Sequence, residues 1–318
     1  MIFAGLSADK IVALPGAVSV EINQSLDVPA DDMTVVFEYS DAFPNISRIY
    51  AIGKGCSDIE GAVSVKDVLF SGVVDEVVVS ADTSNASITV YARSMAALLL
   101  DNECRPQTYV NPDTDVIYKN HLSRFGIESD CGSRAKRSGK LNVFKGYSHY
   151  KVLENYCSNF LDSKVRIDHR GVCHTDCFDS NESVDFDNKC GVKFNSVSVS
   201  NESYSRISRV LVCTDNSLRY NTVIADDEAL NSGIVRERFL NANSDSDYCL
   251  SDGDRLIEKG RVNAYTITLS SDERVINRLG CQCTVNTPMS AGKNMVISEI
   301  HFVKKAGREK TVLKLTQR

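Results

Sequence analysis

The chain has 318 residues, which is long enough for two or three domains that each have their own core. With 42% hydrophobic and 25% charged residues, its composition is that of an ordinary globular protein, and its six prolines argue against a disordered proline-rich linker. The net charge of −6 argues against a nucleic-acid-binding protein, because such domains are usually basic. No apolar run approaches the length that spans a bilayer, so we expect no membrane anchor.

Residues 1–93 are predicted to form an all-β domain. Short runs of alternating apolar and polar residues are separated by turn signals such as Phe43-Pro44-Asn45. The predicted strands are Ala17–Leu26, Thr34–Tyr39, Arg48–Ile52, Val63–Phe70, Val73–Ser80 and Ser87–Arg93. Short, evenly spaced strands of this kind favour a barrel or a sandwich.

Residues 94–190 are predicted to form an α+β insert. Its predicted elements are a helix capped by Ser94, helices over Thr114–Phe125 and Ser148–Leu161, and a hairpin of Lys164–Asp168 with Val172–Asp176. Ser148 is placed to cap its helix, and Gly126 to end the helix before it.

A second β domain is predicted from residues 191–225 joined to residues 262–318. Its predicted strands include Ile207–Cys213, the alternating runs at Tyr265–Leu269 and Cys281–Val285, and a hairpin of Met295–Val303 with Thr311–Leu315. Residues 226–261 interrupt it as a small insert, with a short helix over Arg255–Lys259 that Gly260 ends. The sequence therefore predicts a β-rich α+β fold with two β domains, each accompanied by an insert.

The 11 cysteines are predicted to be reduced thiols, because the first residues lack the pattern of a secretory signal. The densest candidate metal cluster contains His169, Cys173, His174, Cys177 and Cys190. In a hairpin, adjacent residues point to opposite faces, and Cys173 and Cys177 would lie roughly 13 Å apart. We therefore predict a surface hairpin there and no metal site.

Three other polar features are interpreted as structural. Cys281 and Cys283 are predicted to be small core residues. The run Asn241–Asp247 resembles a calcium loop, but Ser246 replaces the turn glycine and Asp252 the bidentate glutamate, which favours a plain polar loop. The basic run is predicted to be an exposed loop rather than a nucleic-acid site, and it comprises Arg134, Lys136, Arg137, Lys140 and Lys145.

The sequence contains no catalytic motif of the common hydrolase, metalloprotease or nucleotide-binding kinds. Asp75 and Glu76 are adjacent in a predicted strand, so their side chains diverge and cannot flank one bond. The run Asp226–Glu228 is predicted to start a loop or a helix turn. We therefore predict a protein that is not an enzyme, with no catalytic, cofactor-binding or metal-binding residues.

The segment ITVYARSMAALLLDNECRPQTYVNP, residues 88–112, resembles the baseplate hub proteins of contractile phage tails, the late control gene D family. That family includes hubs of the phage Mu type and of defective prophage or bacteriocin-like tail particles. The order of further parts agrees with it: the helix at Ser148–Leu161, the hairpin VRIDHRGV, the segment GIVRERFLN at Gly233–Asn241, and the C-terminal VISEIHFV and TVLKL strands. The cysteine-rich stretch 173–190 departs from the resemblance.

The resemblance implies a structural homotrimer in which each subunit carries two tube-like antiparallel β-barrels. The barrels would be residues 1–93 and residues 191–225 with 262–318, while the inserts 94–190 and 226–261 would lie at the periphery. Six barrels would continue the hexameric tail tube, and the opposite face would receive the trimeric spike. The implied partners are the tube protein or tube initiator, the spike and other baseplate proteins, in a virion tail or tail-like particle assembled in the bacterial cytoplasm. DNA would pass through the lumen without specific binding, because an acidic lumen repels phosphate.

Two other functions remain open from the sequence. One is a tail-tip cell-wall hydrolase, with a carboxylate pair assembled from distant segments. The other is a carbohydrate- or receptor-binding β protein.

Overall fold

A computed structural model describes residues 1–53, 68–83, 85–130, 135, 137–175, 183–213, 219–241, 249–288 and 294–317. The described residues form large antiparallel sheets with a few helices, which confirms the predicted β-rich fold. The chain divides into two compact units. Unit 1 consists of Met1–Asn181, Asp272–Gly280 and Glu299–Val312, and unit 2 of Glu182–Ser271, Cys281–Ser298 and Leu313–Arg318. Among the described residues, no helix has both the length and the hydropathy of a membrane span.

The strands in chain order are β1 (Ile2–Ser7), β2 (Lys10–Ala13), β3 (Ala17–Ser25), β4 (Asp32–Glu38), β5 (Arg48–Ile52), β6 (Val68–Ala81), β7 (Ala86–Ser94), β8 (Gln107–Val110), β9 (Glu128–Ser129), β10 (Lys140–Val143), β11 (Arg166–Ile167), β12 (Val172–His174), β13 (Ser183–Phe186), β14 (Ser196–Asn201), β15 (Arg209–Cys213), β16 (Thr222–Ala225), β17 (Glu237–Asn241), β18 (Tyr265–Ser271), β19 (Gln282–Val285), β20 (Met295–Lys305) and β21 (Arg308–Gln317). The helices are α1 (Ala96–Leu100), α2 (Thr114–His121), α3 (His149–Tyr156), α4 (Asp227–Asn231) and α5 (Cys249–Ala264). Short 3₁₀ turns lie at Ser123–Phe125 and Ser203–Ser205, and a π-helical turn lies at Cys157–Leu161.

The main sheet of unit 1 is antiparallel, with neighbouring strands in the order β20, β3, β4, β7, β6, β5, β1, β2. Alternation along the strands decides which face is buried: in β4, Met33, Val35 and Phe37 are buried. The predicted strands Val63–Phe70 and Val73–Ser80 belong, in their described part, to the single strand β6. A bulge between Val74 and Glu76 takes up one extra residue against β7. Residues 54–67 lie outside the described ranges.

The helices predicted at Thr114 and Ser148 are present in the insert in unit 1, and both begin at the capping residues. Asp113 caps α2 by accepting a hydrogen bond from the Asp115 N–H, and Ser148 caps α3 by accepting one from the Lys151 N–H. Gly126 ends the turn after α2 with φ of 68°, a conformation that suits glycine. The buried faces of these helices share one core that includes Leu99, Ile117, Leu153, Tyr156 and Phe160.

The prediction that Ser94 caps α1 is wrong. Ser94 is the last residue of β7, and α1 begins after Met95 with no side-chain cap. The Ser94 hydroxyl instead accepts a hydrogen bond from the Asp31 N–H at 3.2 Å, and the Ser94 N–H donates to the Asp31 carbonyl at 2.8 Å. The Ser94 hydroxyl is therefore bonded to the backbone of Asp31 and does not cap α1.

Asp31 is the centre of a buried polar network in unit 1. Its carboxylate, with 2% of the side chain exposed, accepts hydrogen bonds from Arg166 at 2.7 Å and from Gln24 at 3.0 Å. Arg166 also donates to the carbonyl of Ser25 at 3.0 Å, so the insert is fixed to the end of β3. Burial raises the pKa of Asp31, and the Arg166 guanidinium opposes that rise.

Unit 2 contains a small sheet in the order β16, β15, β17 and further pairs between β14 and β18 and between β13 and β19. Helix α5 packs on the small sheet, where Val210, Val212 and Ile257 form a core.

The prediction that a helix over Arg255–Lys259 ends at Gly260 is wrong, because α5 runs through that residue to Ala264. A Cβ on Gly260 would lie 3.0 Å from the carbonyl oxygen of Ser205. Glycine is used here for a close approach between two backbones rather than for a helix end.

The run Asp226–Glu228 starts a helix turn, as predicted. Asp226 caps α4 by accepting a hydrogen bond from the Ala229 N–H, and its side chain is fully buried. Arg261 donates to it at 2.9 Å and Arg206 at 3.0 Å. These arginines, Arg261 first, hold the pKa of the Asp226 carboxyl well below its usual range.

Candidate functional site

The candidate metal residues at 169–190 are not brought together in the described structure. Strands β11 and β12 form the predicted hairpin, in which Cys173 is buried and His174 contacts Asp168 and Asp130 at 3.1 Å each. Burial by itself raises the pKa of Asp168, but hydrogen bonds from His174 and from the Val172 N–H outweigh it, so the pKa is lowered. His174 is therefore held by two carboxylates, those of Asp168 and Asp130.

The remaining residues of that candidate cluster are His169, Cys177 and Cys190. Burial lowers the pKa of His169 to about 4. Cys177 lies outside the described residues. Cys190 belongs to unit 2, is exposed, and donates from its thiol to Asp187 at 3.4 Å.

Cys281 and Cys283 are buried core residues, as predicted, with 4% and 2% of their surface exposed. Burial raises the pKa of Cys283 to about 12, so it is a neutral thiol at physiological pH.

The other polar features can be followed in part. In the calcium-like run, residues 242–247 lie outside the described ranges, as do Arg134 and Lys136 of the basic run. Arg137 pairs with Asp162 at 2.9 Å, and Lys140 and Lys145 are exposed. Asp75 is the extra residue of the β6 bulge and is paired with Arg93 at 2.7 Å, whereas Glu76 lies opposite Tyr91.

The structure brings together one group of metal-type ligands that the sequence analysis did not single out: Cys104, His121 and His149. Cys104 follows α1, His121 is the last residue of α2, and His149 is the first residue of α3. Two backbone hydrogen bonds fix the segment around Cys104 against the start of α3. The Cys104 N–H donates to the Tyr147 carbonyl, and the His149 N–H donates to the Asn102 carbonyl. All three residues are buried, with 5%, 1% and 3% of their surface exposed.

The ligand atoms of this Cys–His–His cluster lie within 4.8 Å of one another. Nδ1 of His121 is 2.9 Å from Nδ1 of His149 and 3.6 Å from the sulfur of Cys104. On the far side of the ring, Nε2 of His121 contacts the Tyr109 hydroxyl at 3.1 Å. Nε2 of His149 is 3.5 Å from the Arg124 guanidinium.

Burial controls the protonation of the Cys–His–His cluster. It lowers the pKa of His121 to about 4, with help from His149 and Arg124, and it lowers the pKa of His149 as well. Both imidazoles are therefore neutral at pH 7 and carry lone pairs. Burial raises the pKa of Cys104 to about 11, although the Arg124 charge opposes the rise.

A second feature is the distal part of β6, which we call the β6 edge and define as residues 75–81. One side of this segment pairs with β7. The pairing with β5 stops at Val73, and no strand within the described ranges pairs with the other side of the β6 edge. Open backbone donors and acceptors of this kind are a template for another chain.

The β6 edge is also apolar on its inner face. Val77 lies opposite Val90 and Val79 opposite Ile88, and opposed residues of an antiparallel pair share a face. Val90 and Ile88 are buried, yet Val77 and Val79 are 42% and 58% exposed. The buried face of the sheet thus continues to the surface of the isolated chain.

Comparisons with known proteins give a match at the level of structure. Neither protein-family models nor curated protein sequences match the chain. The 43 kDa tail protein of prophage MuSo2 from Shewanella oneidensis has a similar structure, with a TM-score of 0.75 and 15% identity, over 100% of this chain and 98% of that one. A tail protein from Neisseria meningitidis gives a TM-score of 0.73 at 12% identity, over 99% of this chain and 96% of that one.

A third similar structure is an Escherichia coli component of the type VI secretion system, described as structurally similar to the bacteriophage T4 tail proteins gp27 and gp5. It gives a TM-score of 0.57 at 9% identity, over 95% of this chain and 73% of that one. The first two similarities extend over nearly the whole of both chains, so they cover complete folds rather than a shared piece. The chain has the fold of these two tail proteins, and a component of the type VI secretion system shares that fold.

Proposed function

We propose that this protein is a structural component of the baseplate of a contractile phage tail or tail-like particle. The observation that carries the proposal is the match of fold over nearly the full length of a prophage tail protein and of a second tail protein. The similarity to a type VI secretion component agrees with it, since that protein is itself described as similar to phage tail proteins.

Within that role we propose the baseplate hub: a homotrimer that joins the hexameric tail tube to the trimeric spike. Two tube-like β-barrels per chain, at 1–93 and at 191–225 with 262–318, would let three chains present six similar domains to the tube. The inserts at 94–190 and 226–261 would lie outside the ring. The partners are then the tube protein or its initiator, the spike and other baseplate proteins, and the role requires no catalytic group.

The β6 edge supports an assembled state. Seven residues of strand, with no pairing on one side among the described residues and with two exposed valines, would be an aggregation hazard in a free monomer. A neighbouring subunit that pairs with this edge, or covers it, would satisfy the backbone groups and bury both valines. The net charge of −6 is compatible with a lumen that passes DNA without binding it.

The experiment that tests the role is deletion of the gene from a complete tail gene cluster, followed by electron microscopy of the particles. Loss of a hub should leave no assembled, sheathed tails, because tube growth has no base on which to start. A cell-wall hydrolase or a receptor-binding protein is dispensable for assembly. Its loss would therefore give intact tails that cannot penetrate or bind the host cell. Intact tails after deletion would contradict the proposal.

The β6 edge gives a sharper prediction at the level of residues. The double variant Val77→Lys/Val79→Lys should fold normally, because both side chains are already exposed, but it should fail to form the homotrimer. Two charges would be buried without partners at the subunit contact, which is strongly unfavourable. Analytical ultracentrifugation of the purified variant measures this.

The matched control is Val116→Lys, which changes a valine on α2 that is 46% exposed and lies outside the β6 edge. The control should remain trimeric. If the double variant is as trimeric as the control, the β6 edge is not at the subunit interface.

A further inference from the structure

We propose that Cys104, His121 and His149 form a zinc-binding site inside the insert. The site is independent of the baseplate role, because it rests on the geometry of three side chains within unit 1. No catalytic function is part of the proposal.

The first argument is the chemistry of the ligands. One thiol and two imidazoles are the donor set that proteins use for Zn²⁺, and a soft sulfur ligand disfavours Mg²⁺ and Ca²⁺. The Nδ1 atoms of the two histidines face each other, and the Cys104 sulfur lies next to Nδ1 of His121. Within the described residues no fourth Cys, His, Asp or Glu joins the group, so the protein would supply three ligands and the fourth position would be left to a small ligand such as water.

The second argument is distance. With Zn–S of about 2.3 Å and Zn–N of about 2.0–2.1 Å, tetrahedral ligand atoms stand about 3.3–3.6 Å apart. The sulfur of Cys104 is 3.6 Å from Nδ1 of His121, which fits without movement. The two Nδ1 atoms are 2.9 Å apart and would separate by about 0.4 Å on binding, a shift within the reach of small χ rotations.

The third argument is the support behind the ligands. Histidines that bind metals almost always direct their other ring nitrogen to a polar partner, which fixes the ring. Nε2 of His121 has such a partner in the Tyr109 hydroxyl, which is itself held by the amides of Gln107 and Asn120 at 2.7 and 3.2 Å. The ring of His149 is held at its edge by Phe125, with ring centroids 5.0 Å apart.

Zinc would serve the insert by joining three segments that are distant in sequence. Cys104 belongs to the loop after α1, His121 to the end of α2 and His149 to the start of α3. On binding, Cys104 gives its thiol proton to solvent and coordinates as thiolate. The imidazole that donates in the Nδ1···Nδ1 contact moves its proton to Nε2, so that both neutral histidines offer an Nδ1 lone pair. The metal then replaces the N···N contact that the two imidazoles make without it.

The test is metal binding by the full-length purified protein, with Co²⁺ as a spectroscopic probe and Zn²⁺ as the competitor. The wild type should bind one Co²⁺ per chain, with the intense visible bands of tetrahedral cobalt and a sulfur-to-cobalt charge-transfer band. Zn²⁺ should displace it. Absence of the charge-transfer band in the wild type would overturn the proposal without recourse to any variant.

Variants assign the ligands. Cys104→Ser should abolish the charge-transfer band, whereas Cys190→Ser, which removes an exposed thiol in the other unit, should leave the spectrum and the affinity unchanged. Tyr109→Phe keeps all three ligands and should weaken Zn²⁺ binding by about 10–100-fold, the usual effect of losing the hydrogen-bond partner of a ligating histidine. If Cys190→Ser rather than Cys104→Ser removes the band, the site lies elsewhere.

Discussion

The Arg166→Met variant should unfold at a much lower urea concentration than the wild type. We expect its free energy of unfolding to fall by about 4 kcal/mol, which is typical of breaking a buried ion pair by removing one partner. Methionine fills much of the same space, so the loss comes from the charge. Asp31, whose side chain is 2% exposed in the wild type, would keep Gln24 as its one side-chain partner among the described residues. Burial already raises the pKa of Asp31, and removal of Arg166 would raise it further.

The pH dependence of the Arg166→Met variant tests this cause. A group whose pKa is raised by folding favours the folded state when protonated, so stability is lost as the pH rises through the folded pKa. The loss in free energy of unfolding should therefore be largest above the Asp31 pKa. It should shrink as the pH falls, because the carboxyl is then neutralised. Unfolding midpoints measured across this range give the comparison.

Two variants complete the Arg166 experiment. Arg137→Met removes an exposed arginine whose pair with Asp162 is open to solvent, and it should cost no more than about 1 kcal/mol. The double variant Asp31→Asn/Arg166→Met should recover much of the loss, since it leaves no buried charge. A loss for Arg166→Met no larger than that of Arg137→Met, at neutral pH, would contradict the account of this network.

The second large effect is expected in unit 2, where Asp226→Asn should cost about 3 kcal/mol, the lower end of the range for a broken buried ion pair. The side chain of Asp226 is fully buried and accepts hydrogen bonds from Arg206 and Arg261. The side chain of Arg261 is 45% exposed and can turn to water when its partner is removed, which limits the loss. Arg206, 15% exposed, has less freedom to do so.

The sign of the pH effect at Asp226 follows from its lowered pKa. A carboxyl whose pKa is depressed by folding contributes stability above its unfolded pKa of about 3.9, and this contribution is lost as the pH falls toward the folded pKa. The difference between wild type and Asp226→Asn should therefore be constant near neutral pH and decline in acid.

Hydrogen-exchange mass spectrometry is the appropriate measurement for Asp226→Asn, because it reports opening locally. Exchange should accelerate in β15–β17 and in α4 and α5. The control is Asp227→Asn, which changes an exposed acidic residue in the first turn of the same helix and should cost about 0.5 kcal/mol through the helix dipole. Equal effects of the two substitutions would show that burial of the ion pair contributes nothing.

Much of the secondary structure could be predicted from the sequence, because local signals specify it. Period-two alternation located β3, β4 and β7, and the caps at Ser148 and Gly126 were correct. The two errors at caps have one cause: Ser94 and Gly260 are suited to cap helices, but each is used in a tertiary contact instead. Ser94 bonds to Asp31 across strands, and Gly260 allows a close approach to Ser205.

The buried clusters could not be predicted from the sequence. Cys104 lies 17 residues before His121, which lies 28 residues before His149, and this spacing matches none of the common zinc motifs. Their meeting depends on the packing of α2 and α3 in one core. The partnership of Asp31 with Arg166, 135 residues later, likewise depends on the fold. The Cys and His residues of 169–177 are close together in the sequence and were the more obvious candidates. They lie in a hairpin, which directs neighbouring side chains to opposite faces.

The most direct test of the central claim is mass photometry of the purified chain, alone and with the tube and spike proteins of the same tail cluster. The hub proposal predicts a closed assembly of three 35.0 kDa chains, a particle of about 105 kDa, which gains mass when the spike or tube protein is added. A chain that remains at 35.0 kDa under all of these conditions would contradict the proposal.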